Sequence, residues 1–346
     1  MNMPESGGGR LRAYIECVVA VVSFFLARAL AHSGSLGLAN EPWAPLVEQA
    51  MLAFLLVLGY AGLGFALDRQ MHPIGAQGLP RRHGWQGEAG LGLAAGWALA
   101  VICVLPMVLV GGIAITIFYA PSAWAWFLAD AAFFALAALA EEVAFRGSGF
   151  QRFAHTVGPL GAALGYAAFY AIVQALVLGS NHASIAVSVV LSLLLSTAYI
   201  RTRALWVSWG INFGWKAGRA LLFGLAISGV NSHSPVVRGD PMGPFWLTGG
   251  GYGLDGSWVA FVLLLVALPF VYRITRDLDF CYNAPVIVPG GIAVDLDAAS
   301  RRQHEAAMGP LEAATPAAPA LIQILPVSTP PPIPPSEQPP INQSTD

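Results

Sequence analysis

Eight apolar runs, each near the length needed to cross a bilayer, constrain this chain more than any other feature. They lie at 13–31, 45–67, 88–118, from 124 onward, 161–178, 184–200, 205–227 and 257–271. Inside a bilayer no water pairs with the backbone, so every N–H and C=O must be satisfied internally, and a helix does this along its own length. The runs therefore predict an all-α, polytopic transmembrane helix bundle of about eight spans. Composition agrees: the chain is 56% hydrophobic and 10% charged, whereas soluble domains carry about 25% charged residues. The net charge of −2 leaves no basic footprint, so nucleic acid is not expected as a partner and membrane lipid is. The cysteines, Cys17, Cys103 and Cys281, are far apart. They suggest neither a disulfide framework nor a metal site.

The arginines orient the runs. They occur in the N-terminus, in the 69–82 connector, between Arg146 and Arg152, at Arg201 and Arg203, and at Arg273 and Arg276. The connectors at 32–44, 119–123 and 179–183 have none, and 228–256 has only Arg238. This alternation predicts both termini on the cytoplasmic side, and the expected location is a bacterial inner membrane. Arg28, near the far end of the first run, is discordant. Residues 1–12 read as a polar N-terminus and 13–275 as the membrane-embedded domain. An alternative is a signal peptide cleaved after Ala29-Leu30-Ala31, against which Glu16 and Arg28 both argue. Residues 276–309 read as a polar cytoplasmic extension with a short β-like piece, Val286–Val288. The Pro-rich stretch 310–346 reads as a disordered tail, since it has too little apolar surface to offset ordering.

Polar groups at membrane depth are where function is sought. Glu141-Glu142-Val143-Ala144-Phe145-Arg146 closes the fourth run. On a helix Glu142 and Arg146 stand at i,i+4 and can pair. Glu141 is turned away by about 100° and is left free to act. Asp130, eleven residues earlier, shares the face of Glu141. A helical hairpin turning near His155 to Gly158 would set Gln174 opposite Glu141. In the seventh run Ser208, Asn212, Lys216 and Arg219 form one polar stripe. Lys216 is the only lysine in the chain, and at mid-span it needs a carboxylate or a water-filled cavity. The stripe is alternatively an amphipathic helix lying at the membrane surface. Buried charges alone also admit a transporter or channel.

Glu141-Glu142-x-x-x-Arg146 resembles motif one of the CAAX protease and bacteriocin-processing family, whose eukaryotic members are the type II CAAX prenyl endopeptidases. The resemblance spans about 78–271 and includes Thr248 to Ser257, similar to a loop of a bacterial branch. It implies an intramembrane endopeptidase that takes a hydrophobic or lipidated peptide or protein. Glu141 would activate water; no cofactor is expected, nor a metal site, since no histidine remains near the two glutamates. The family's other motifs are F-x-x-x-H and H-x-x-x-N. Here they fall on Tyr170 with Gln174 and on Asn212 with Lys216, so both histidines are replaced. The resemblance thus leaves two expectations: an endopeptidase with altered auxiliary groups, or a catalytically silent member that binds such a peptide with Glu141 neutralised by Lys216. His182, just past the fifth run, is a remote candidate to stand in for a lost histidine.

Overall fold

The computed structural model describes residues 7–276 and 278, apart from 69–72 and 178. Val286–Val288 and the 310–346 tail lie outside the described residues. In chain order the helices are α1 (Gly7–Leu38), α2 (Ala44–Asp68), α3 (Pro73–Ala76), α4 (Trp85–Leu109), α5 (Pro121–Arg146), α6 (Ser148–Val157), α7 (Pro159–Ala175), α8 (His182–Thr202), α9 (Leu205–Ala217), α10 (Phe245–Thr248) and α11 (Trp258–Ile274). A helix occupies each of the eight apolar runs. Among the described residues, five stretches are long and apolar enough to cross a membrane: Val18–Leu38, Ala44–Ala66, Trp85–Leu109, Pro121–Val157 and His182–Thr202. α7 and α11 are apolar but shorter. The protein is a helical membrane bundle of the all-α class, with a short two-stranded sheet.

Three departures from the apolar pattern have local causes. The third run stops being helical at Leu109, where Gly111 (φ 75°) and Gly112 turn the chain. The β-branched stretch that follows forms strand β1 (Ile113–Ile117). It pairs antiparallel with strand β2 (Val237–Pro241), in register Ile113 with Pro241 and Ile117 with Val237. The fourth run does not continue as one helix to His155. Arg146 ends α5 and a separate amphipathic helix, α6, intervenes before α7. α6 buries Phe150 (1% exposed) and ties Gln151 to the Tyr199 hydroxyl at 2.6 Å. The seventh run is cut short: α9 gives way to one π-helical turn, Gly218–Leu222, and the chain leaves the helix at Phe223.

Packing explains where polar groups end up. α4 and α9 approach so closely that a Cβ on Gly210 would lie 2.5 Å from the Ala89 carbonyl oxygen and 2.7 Å from the Leu93 nitrogen. Gly92, Gly96 and Gly214 are confined in the same way, whereas Gly90 faces open space. Small residues allow this approach, so α9 is a core helix. The reading of residues 205–227 as a surface-lying helix is overturned: Ser208, Asn212, Trp215 and Arg219 are all buried. One apolar cluster joins α4, α8, α9 and α11, and another joins α1, α2, α5, α6 and α7. Phe134, Ala217, Ala220 and Leu221 bridge α5 to the π turn. α1 runs unbroken through Ala29–Ala31, with Ala27 and Ala31 buried.

Candidate functional site

The stripe on α9 faces the end of α5. The indole N–H of Trp209 donates to the Ala135 carbonyl (2.9 Å) and fixes the two helices side by side. Arg146 Nη1 donates to Glu142 Oε1 at 2.9 Å, one helical turn away, and Nη2 reaches the Ser192 carbonyl and hydroxyl, both at 3.2 Å. Glu142 is 0% and Arg146 3% exposed. A buried pair of this kind tolerates neither partner alone. The Asn212 amide nitrogen donates to both carboxylates, to Glu141 Oε2 and to Glu142 Oε1, each at 3.1 Å. This fixes its orientation, since the reverse would set the amide oxygen against two anions. Lys216 Nζ donates to Glu141 Oε1. Glu141, Glu142, Arg146, Asn212 and Lys216 are thus one connected group.

Gln174 is brought near but not into that group. Its side-chain nitrogen donates to the Tyr252 hydroxyl at 2.6 Å, while the residue lines the same cavity as Glu141. Tyr252 comes from the long connector after the π turn, and burial above all holds its phenol above the ordinary tyrosine pKa. The depth relation of the two helices does hold. Phe145 meets Tyr170 edge to face at 4.8 Å, and Gln174 lies one turn beyond Tyr170. His182 is exposed at the start of α8 and is absent from the cavity wall. It takes no place beside Glu141.

Glu141, Gln174, Lys216 and Tyr170 line one cavity of 440 Å³. Asn212, Glu142 and Arg146 stand behind its wall. The side chain of Glu141 is 30% exposed and that of Lys216 11%, so the ion pair is presented to the cavity. Apolar surface from α1, α2, α5, α7 and α8 covers much of the rest, including Phe24, Leu52, Phe134, Val173 and Leu191.

Sequence reasoning missed the partners of two further charges in this wall, Arg219 and Asp130. Arg219 Nη1 donates to Asp255 at 2.6 Å, and Asp255 also accepts from the backbone and hydroxyl of Ser228. The Arg219 guanidinium lies over the Trp215 ring at 4.4 Å. Asp130 accepts from the Ser234 N–H (2.7 Å) and meets His233 Nδ1 (3.1 Å), which ties the connector to α5. Asp130 and Glu141 do line the same cavity, as their shared helix face implies. The stripe and the mid-span charges were readable; their partners lie in a polar connector with no periodicity to point at them. Among the described residues no group of three or more His, Cys, Asp or Glu gathers as a metal site would require.

Residues 121–218 match the family model described as type II CAAX prenyl endopeptidase Rce1-like. The match is narrower than the 78–271 suggested by the resemblance. It runs from the first residue of α5 to the first residue of the π turn and so holds all six predicted site residues. No curated protein and no solved structure gives a significant match to the chain. The protein is therefore a membrane protein whose residues 121–218 are similar to the Rce1-like type II CAAX prenyl endopeptidases.

Proposed function

We propose that the protein binds a hydrophobic or lipidated peptide in the 440 Å³ cavity, and that Lys216 neutralises Glu141 in the resting state. The observation that carries this reading is the ion pair itself: Lys216 Nζ rests on Glu141 Oε1. Amide hydrolysis needs a base for water, donors for the oxyanion and a proton for the leaving nitrogen. The carboxylate that would be the base is instead the counter-ion of an ammonium. Gln174 and Asn212 stand at the motif histidine positions, and neither amide titrates. None of these side chains is a histidine, the residue suited to exchange a proton near neutral pH.

A second reading, endopeptidase activity with Glu141 as base, is favoured by one observation. The carboxylate stays at the cavity wall, 30% exposed. A ligand that drew Lys216 away would free the base and leave the ammonium as an oxyanion donor. The two readings separate in one experiment. Purified protein in nanodiscs is given fluorescent prenylated and transmembrane peptides, with binding followed by anisotropy and cleavage by mass spectrometry. The expected outcome is binding without cleavage. Cleavage that vanishes in Glu141→Ala would overturn the silent reading and establish the second.

A further inference from the structure

Arg28 is an exposed cation in the middle of the candidate span Val18–Leu38. A charge at that depth is costly and is retained where it has a partner or a function. Among the described residues no hydrogen bond or ion pair reaches its guanidinium, yet it lines the cavity that holds Glu141 and Lys216. Its depth can be read from packing. Phe24, one turn before Arg28 on the same face, sets its ring 6.1 Å from that of Phe145, one turn beyond Glu141 on α5. The Tyr60 hydroxyl bonds the Ala20 carbonyl, and His32 bonds Glu48, so α1 runs antiparallel to α2. Trp43 at the head of α2 stacks on Trp126 in the first turns of α5, so α2 and α5 run the same way. α1 is therefore antiparallel to α5, and Arg28 stands across the cavity at about the depth of Glu141.

The neighbouring groups fit an anion. Gln49 of α2 also lines the cavity and has no partner among the described residues. Glu48, a carboxylate of α2 on that wall, is engaged by His32 Nδ1 at 3.0 Å. Lys216 and Arg219 each face their own carboxylate. Arg28 is the cavity cation left without one among the described residues. Ten residues separate Arg28 from the end of α1 at Leu38, a rise of about 15 Å. A headgroup at the bilayer surface would therefore not reach it. The anion has to be carried inward on the ligand that occupies the cavity.

We infer that Arg28 is the anchor for an acidic group of an amphiphilic ligand whose apolar chain lies against Phe24, Leu52 and Phe134. This rests on the reading that the cavity holds a ligand, and it adds the ligand's charge. Guanidinium and acid pair through charge-assisted, bidentate hydrogen bonds. The ligand class is a single apolar chain bearing a carboxylate or a phosphate, held with part of the chain beside the Glu141–Lys216 pair.

The test uses the full chain in nanodiscs, with dodecanoate, dodecyl phosphate and uncharged dodecylglycerol as probes and calorimetry as the readout. The unaltered protein is expected to bind both acids at least about tenfold more tightly than dodecylglycerol, as charged hydrogen bonds imply. A preference for only one acid names carboxylate or phosphate as the source. Arg28→Gln is expected to remove the preference and leave dodecylglycerol binding unchanged, and Arg28→Lys to restore part of it. Equal binding of acids and neutral chain by the unaltered protein overturns the inference, whatever the variants do. So does full acid binding by folded Arg28→Gln. These outcomes are separable from those of the peptide experiment. Peptide binding indifferent to Arg28 defeats this inference alone, and acid binding through Arg28 without peptide binding defeats the proposed function alone.

Discussion

At the scale of single residues, the two adjacent glutamates have opposite assignments. Glu142 is enclosed with Arg146 and serves the structure; Glu141 faces the cavity with Lys216. Removing a partner from a fully buried pair strands a charge and costs about 3–5 kcal/mol. Arg146→Ala is therefore expected to lower the apparent melting temperature in detergent sharply, or to prevent recovery of folded protein. Lys216→Met is expected to cost less, about 1–3 kcal/mol, because Glu141 keeps access to the cavity and the buried-pair figure must be discounted accordingly. The double change Glu141→Gln with Lys216→Met should recover most of that loss, since it strands no charge. A double variant less stable than Lys216→Met alone would refute the view that the pair is a matched neutral unit. The i,i+4 spacing of Glu142 and Arg146 and the 208–212–216 stripe were legible because both follow helical periodicity. Arg28 was visible as a discordant charge, but its relation to Glu141 is a tertiary fact with no local signature. The partners of Gln174 and Arg219, Tyr252 and Asp255, lie 78 and 36 residues away, beyond any periodic reading.

At the scale of elements, α4 and α9 form a closely spaced plate that sets where Asn212 and Lys216 project. Of the glycines in the first half of α4, Gly92 and Gly96 meet α9 and Gly90 does not. A Cβ on Gly214 would lie 2.5 Å from the Leu93 carbonyl oxygen and 3.0 Å from the Trp97 nitrogen. Gly214→Val is thus expected to cost about 1–3 kcal/mol or more through overpacking and to weaken peptide binding by displacing Lys216. Gly90→Ala, with nothing within 4 Å, should be neutral or slightly stabilising, because alanine is the better helix former. Equal melting temperatures for the two variants would refute the close-packed plate. The breaks in the third, fourth and seventh runs were not legible from hydropathy. Ile113–Ile117, α6 and the π turn are all apolar or amphipathic enough to pass as helix continuation. Glycine geometry and pairing with a distant strand decide them instead.

At the scale of the whole molecule, the apolar runs and the alternation of arginine-bearing connectors were enough to give an all-α membrane bundle. The cavity adds a direction to it. Its exposed lining residues Asn231 and His233 lie at the end with the 228–236 connector and the α1–α2 turn. The opposite end is closed by Phe145, Arg146, Phe150 and Tyr166, all buried. The positive-inside rule predicts the arginine-bearing connectors on the cytoplasmic side, and in that orientation the proposed ligand approaches from the other side. Single cysteines can check this in a chain whose native Cys17, Cys103 and Cys281 are replaced. His83→Cys should react with an impermeant maleimide only in inverted membranes, and Tyr119→Cys and Ser232→Cys only in right-side-out ones. Labelling of all three from one side would overturn the orientation.

The Lys216–Glu141 pair has a practical consequence. Because the chain has no other lysine, the molecule carries a single ε-amine, and that amine sits in the wall of the cavity. An amine-selective reagent followed by peptide mapping therefore reads one side-chain contact, which the map separates from any α-amine. Slow modification marks the pair as closed, and faster modification on adding a ligand marks it as parted. The chain thus contains its own reporter for the one event that would turn a neutralised carboxylate into an available base.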